Sequence, residues 1–207
     1  MNEGYEEVLR SIASSDPTPG GGSVAAFSLA PAQSLTIMVA RLTEGKEKWA
    51  DGHELAEAII SKWDPKMEVA IGLAEKDAHA FDQVMGAYRL PKSDEKEKEF
   101  RNSSIREATI GAAEAPLETA TEALDLLSDI ESFSHSCNSN ALTDLASAAE
   151  LSSSAVKIAS MNVRINLDFI EGEDVDELST RLDAVVGQSS SSIVRIRTKV
   201  SERLGWK

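Results

Sequence analysis

The sequence predicts an all-α protein, a single-domain antiparallel helical bundle over residues 1–207, on three observations. Apolar residues recur at helical spacing in segment after segment, with no convincing strand and no internal repeat. Aromatic residues are only 5% of the chain, so Ala, Leu, Ile and Val must fill the space between close-packed helices. The 12 glycines and 6 prolines are scarce and clustered, and act as punctuation between long segments. A chain of this length is long enough to bury a core as one domain.

Taken in order, Tyr5, Val8, Leu9 and Ile12 predict a helix over 3–14, which Asp16 to Gly22 breaks. Ser23 reads as the opening of a long apolar helix to about Thr43, with Pro31 inside it either kinking the helix or offsetting its first turns, and Gly45 as its stop. A helix over 51–63 follows. Asp64 and Pro65 read as N-cap and N1 of a helix running to Leu90, with the apolar stripe Ile71, Ala74, Ala78, Phe81, Met85 and Tyr88. Pro91 ends it. A charged helix begins at Ser93, and Pro116 starts or kinks the next segment, to Ile130. The polar loop ESFSHSCNSN leads to a helix from Ala141 to Ile170. Gly172 and EGEDVDEL then separate a last helix, 175–204, which contains the serine run 189–192.

The formal net charge of −14 argues against nucleic acid and against anionic membranes as partners, since both need a basic surface. It leaves room for an anionic small molecule held by a local basic pocket. The single cysteine, Cys137, forbids an intrachain disulfide, and a reduced, cytoplasmic setting is expected. The opening MNEGYEEVLR lacks the basic and apolar regions of a signal peptide, and no apolar run is expected to reach the ~20 residues of a membrane span. His53, His79 and His135 show no i,i+4 pairing and no clustering with acidic residues, so no metal site is expected. Cys137 has no evident partner and reads as a loop residue.

One stretch stands apart, DPTPGGGSVAAFSLA from Asp16 to Ala30. Glycines ahead of a helix allow a close approach, and the helix N-terminus offers free N–H groups and a positive dipole end. That combination is either a cradle for a polar or anionic ligand or a tight turn with Ser23 as an ordinary N-cap. It is not a nucleotide P-loop, because no Gly-Lys-Ser/Thr follows, nor a dinucleotide fingerprint, because no strand precedes it.

PTPGGGSVAA followed by MVARLTEGKEKW resembles the opening signature of the formimidoyltetrahydrofolate cyclodeaminase and methenyltetrahydrofolate cyclohydrolase family. DAHAFDQVMGAYRLPK (77–92), IREATIGAAEAPLETA (105–120) and NSNALTDL with NVRINL (138–145 and 162–167) agree in order and spacing. The resemblance spans almost the whole chain. It implies an all-helical homodimer acting on a tetrahydrofolate derivative, with or without a polyglutamate tail, and no cofactor beyond that substrate. One activity of the family closes the formimidoyl form to the methenyl form with release of ammonia. The other hydrates the methenyl form to 10-formyltetrahydrofolate. Both pass through a tetrahedral carbon bridging N5 and N10. The chain departs from the family pattern at Cys137, Thr143 and Leu145, and also at Trp49 and Pro31. The first three keep a non-catalytic folate-binding or dimerisation module as the alternative.

The resemblance implies catalytic roles for Asp77, Asp144 and Lys46. It implies substrate contacts for Gly20, Gly21, Gly22, Ser23, Arg89, Lys92, Asn138, Asn140, Asn162 and Asn166. Asp77 falls at the edge of the apolar stripe, where partial desolvation would raise its pKa and suit it to proton transfer; a structural ion pair is the other reading. Asp144 and Asn162 share a helix face but stand eighteen residues, about 27 Å, apart. Both cannot touch one small reacting centre in one subunit. Asn162 and Asn166 read equally as hydrogen-bond bridges between helices. Arg89 and Lys92 suit the rim for a polyglutamate tail, though a cation in a last turn also serves the helix dipole.

Overall fold

A computed structural model describes residues 3–206. Among them lie seven α-helices, three short 3₁₀ turns and no strand: α1 (Glu3–Ile12), α2 (Gly21–Thr43), α3 (His53–Trp63), α4 (Val69–Tyr88), α5 (Glu95–Phe133), α6 (Leu142–Leu167) and α7 (Glu173–Leu204). The described residues make one all-α domain. α6 sits at its centre, against α2, α5 and α7, while α2 also packs on α3, α4 and α5.

Alanine makes this packing possible. Ala25, Ala26, Ala32 and Ala40 of α2, Ala120 and Ala123 of α5, and Ala148, Ala149, Ala155 and Ala159 of α6 are all fully buried. Side chains this short let helix axes approach closely, and Leu29, Ile37, Leu126, Leu127, Ile130, Phe133, Leu142 and Leu145 fill the remaining space. A second cluster, with Leu117, Val163, Leu167, Leu178 and Leu182, joins the start of α7 to α5 and α6. Trp63 closes the core at the end of α3; its indole N–H donates to Asp129, which with Asp125 also binds Lys62.

Several boundaries differ from the sequence-based expectation. α2 starts at Gly21 with Gly20 as N-cap, so Ser23 lies inside the first turn and caps nothing. Asp64 and Pro65 form a 3₁₀ turn, and α4 begins only at Val69. Pro116 neither starts nor ends a segment; α5 runs through it for 39 residues. Gly45 does stop α2, in the left-handed conformation at φ 67°.

The predicted α4 stripe is only partly the buried face: Ala74 is buried and Ala78 and Phe81 are half-buried. Ile71 and Tyr88 are half exposed, and Ala70, Leu73 and Ala74 face the core. The expectation of no membrane-length segment is also corrected. α2 is long and apolar enough, by length and composition, to cross a membrane. In this fold it is a core helix packed by four others.

Candidate active site

The glycine stretch and Asp77 meet at the N-terminus of α2. Gly22 is buried, and a Cβ built on it would lie 2.0 Å from Asp77 Oδ1. The carboxyl group therefore rests where a side chain would be, and only glycine at 22 leaves it room. The Ser23 hydroxyl lies 3.0 Å from Asp77 Oδ2 and 3.3 Å from the Ala74 carbonyl, two acceptors for its one proton, with Asp77 the nearer. Burial pushes the Asp77 carboxyl above the usual carboxylate range, and the hydrogen bonds from the Ser23 hydroxyl and backbone N–H hold it back in part. The first amides of a helix have no intrahelical acceptor, so those of Gly21, Gly22 and Ser23 at the start of α2 lack a helical partner.

The other wall comes from the C-terminal half of α6. A Cβ on Gly21 would meet Asn162 Nδ2 at 3.1 Å. Asn166 lies one turn further along. Together with Pro17, Thr18, Phe81, Val84, Ala112 and Ile165 these residues line a cleft of about 350 Å³. The peptide bond between Thr18 and Pro19 beside it is cis. A larger groove of about 680 Å³, with His79, Asp82, Gln83 and Glu107, runs between α4 and α5. It contains none of the catalytic or substrate-contact residues expected from the sequence.

The structure thus brings together Gly20, Gly21, Gly22, Ser23, Asp77, Asn162 and Asn166. Arg89 and Lys92 are exposed at the far end of α4, with Arg89 about 18 Å along the helix from Asp77. The remaining candidates lie elsewhere. Lys46 is exposed beyond the C-terminus of α2, and its carbonyl contacts His53 Nε2 at 3.0 Å. Asp144 is half-buried in the first turn of α6, about 27 Å along that helix from Asn162. Asn138 is buried: its amide donates to the Leu42 carbonyl and accepts from the exposed Asn140 N–H, which ties the end of α2 to the start of α6.

Phe81, Val84 and Ile165 were missed from the sequence, although helical spacing from Asp77 and Asn162 puts them on the same faces. The Ser23–Asp77 pair had no signal at all, being 54 residues apart. Cys137 lies in a loop as expected but is fully buried; Arg203 holds its sulfur at 3.2 Å and its carbonyl at 2.7 Å, and burial pushes the thiol up. Cys137 and Leu145 are core positions and Thr143 is exposed, all at the Asp144 end of α6. Among the described residues no three His, Cys, Asp or Glu side chains gather as a metal site.

Comparison with known proteins gives one consistent result. Residues 4–183 match the family model described as formiminotransferase-cyclodeaminase. The chain is 30% identical over 204 residues to a methenyltetrahydrofolate cyclohydrolase of Methylorubrum extorquens, covering 98% of both chains. It is 28% identical over 195 residues to the formimidoyltransferase-cyclodeaminase of Gallus gallus, of which it spans 36%. The crystal structure of formiminotetrahydrofolate cyclodeaminase from Thermotoga maritima superposes with a TM-score of 0.85 at 28% identity, over 96% of each chain.

Proposed function

The chain belongs to the formiminotransferase-cyclodeaminase family, and from that membership we propose that it makes or breaks the one-carbon bridge between N5 and N10 of tetrahydrofolate. It does so as a methenyltetrahydrofolate cyclohydrolase or a formimidoyltetrahydrofolate cyclodeaminase. The observation that carries this reading is the half-buried Asp77 carboxyl, seated on Gly22 at the open N-terminus of α2 inside the cleft. A carboxyl group held above its usual range is suited to both accept and return a proton.

In the hydrolytic direction, water adds to the methenyl carbon and Asp77 takes its proton. The Gly21 and Gly22 amides hold the new oxygen. Asp77 then returns the proton to N5 as the carbon–N5 bond breaks, and the hydroxyl proton leaves to solvent as the carbonyl forms, giving the neutral 10-formyl product. In the deaminating direction N10 adds to the formimidoyl carbon, and the proton goes to the departing nitrogen, which leaves as ammonia. The amidinium charge of the substrate already activates the carbon, so the reading needs no cofactor beyond the tetrahydrofolate itself. A folate with its reacting end at Asp77 and extended along α4 would bring its glutamate end toward Arg89 and Lys92.

Lys46 and Asp144 cannot reach that carbon within one chain. The reading therefore includes a homodimer, in which this end of one copy completes the cleft of the other, with each chain an antiparallel bundle in a cytoplasmic setting. The test is a spectrophotometric assay with 5,10-methenyltetrahydrofolate and 5-formimidoyltetrahydrofolate, each supplied separately. Loss of the methenyl absorbance marks the cyclohydrolase, and its appearance marks the cyclodeaminase. No acceleration of either, with folate still bound, would overturn the reading in favour of a binding module.

A further inference from the structure

Pro116 lies in the middle of α5, a helix that continues unbroken on both sides of it. Proline has no amide hydrogen, so the carbonyl four residues earlier, that of Ala112, has no donor within its own helix. Ala112 is only 7% exposed, which leaves little access to solvent in exchange. Asn166 of α6 supplies the missing donor: its Nδ2 lies 2.8 Å from the Ala112 carbonyl and 2.9 Å from that of Asn162.

Both partners of this amide are carbonyl oxygens. The reverse orientation would set oxygen against oxygen twice, so the amide fits one way only. Its two hydrogens are spent, and the atom left for a ligand is Oδ1, an acceptor. Asn162 Nδ2 donates once, to the Ile158 carbonyl at 2.9 Å. Among the described residues no group donates to either oxygen, and both side chains line the cleft beside Asp77.

We propose that Pro116 is a positioning residue for the folate reaction: by stripping the Ala112 carbonyl of its helical partner, it fixes Asn166 as a hydrogen-bond acceptor for an N–H group of the reduced pterin. The proposal rests on the folate reading above. An amide accepts such a bond without adding charge to a cleft that already holds a carboxylate. Pro116 touches no substrate in this scheme; it acts through Asn166.

The test is a double-mutant cycle of Pro116→Ala and Asn166→Ala, read by KM, kcat and thermal melting. The Pro116→Ala change restores an N–H for the Ala112 carbonyl and releases the Asn166 amide. KM for the folate substrate is expected to rise about tenfold, the worth of one neutral hydrogen bond, while kcat holds. In the Asn166→Ala background the same change should leave KM unmoved. An equal KM rise in both backgrounds would mean that Pro116 acts through helix shape, and would overturn the proposal. So would a wild-type KM in Pro116→Ala. The melting temperatures separate this from failure of the folate reading. Asn166→Ala should lower the melting point more in the wild-type background than in the Pro116→Ala background, because only proline leaves the carbonyl orphaned. That coupling without any turnover or folate binding would retain the Asn166 anchor but reject its role in a folate reaction.

Discussion

Asp77 is the residue on which opposing demands converge. Burial favours its neutral form, while the Ser23 hydroxyl and N–H favour its ionised form, and burial is the larger influence. Its folded-state pKa is thus raised, so its contribution to stability is full below the usual carboxylate range and is lost as pH rises through the raised value. Above that raised value the fold carries an ionised carboxylate at a cost. Asp77→Asn removes the charge and keeps an acceptor for Ser23. It is expected to melt no lower than the wild type at pH 7, and to lose any advantage once the pH falls below the usual carboxylate range. Turnover should drop by about 100-fold or more while folate affinity is kept. Unchanged turnover would remove Asp77 from the reaction. The sequence already placed Asp77 at an apolar edge, but not its contact with Gly22, which depends on how closely α2 and α4 approach.

At the scale of elements, the helices are positioned by their ends as much as by their faces. Gly45 stops α2 at a positive φ, and nothing lies within 4 Å of where its Cβ would be. Gly45→Ala therefore isolates the conformational term, and chemical denaturation should show a loss of about 1 kcal/mol. A larger loss would point to a packing role. Pro31 and Pro116 show how context overrides local propensity. Each lies inside a continuous helix, although proline costs roughly 3 kcal/mol in a helix interior. Burial of the surrounding faces offsets that cost, and for Pro116 Asn166 repairs the broken bond. From sequence, Pro116 could only be read as a start or a kink, because its compensating donor lies on another helix.

For the whole molecule, the central fact is length. α2 spans about 33 Å, with the glycine cleft at one end and the Lys46 region beyond the other. A homodimer that joins opposite ends predicts complementation. Asp77→Asn and Asp144→Asn should each be inactive alone. Unfolded and refolded together, they should recover activity through the mixed dimers that keep one intact site. Activity that stays absent in the mixture would confine the site to one chain or exclude Asp144. The face of α4 shows why such relations escape periodicity: Ala70 and Ala74 look inward while Ile71 and Tyr88 look out. The predicted stripe took in Ile71 and Tyr88 and left out Ala70 and Leu73.

The sequence by itself determined the all-helical class, most helix boundaries to within a few residues, and the glycine stretch as the place to look. These follow from local causes: apolar spacing, glycine at a left-handed stop, and free amides at a helix start. It also determined that Asp144 and Asn162 stand far apart, since one unbroken helix fixes the distance. Only the tertiary structure decided that Ser23 holds Asp77, that Gly22 gives the carboxyl its seat, and that Asn166 answers Pro116. Each of those depends on two helices meeting at a particular depth and rotation. That outcome is set by the summed packing of many small side chains, and no single stretch of the chain encodes it.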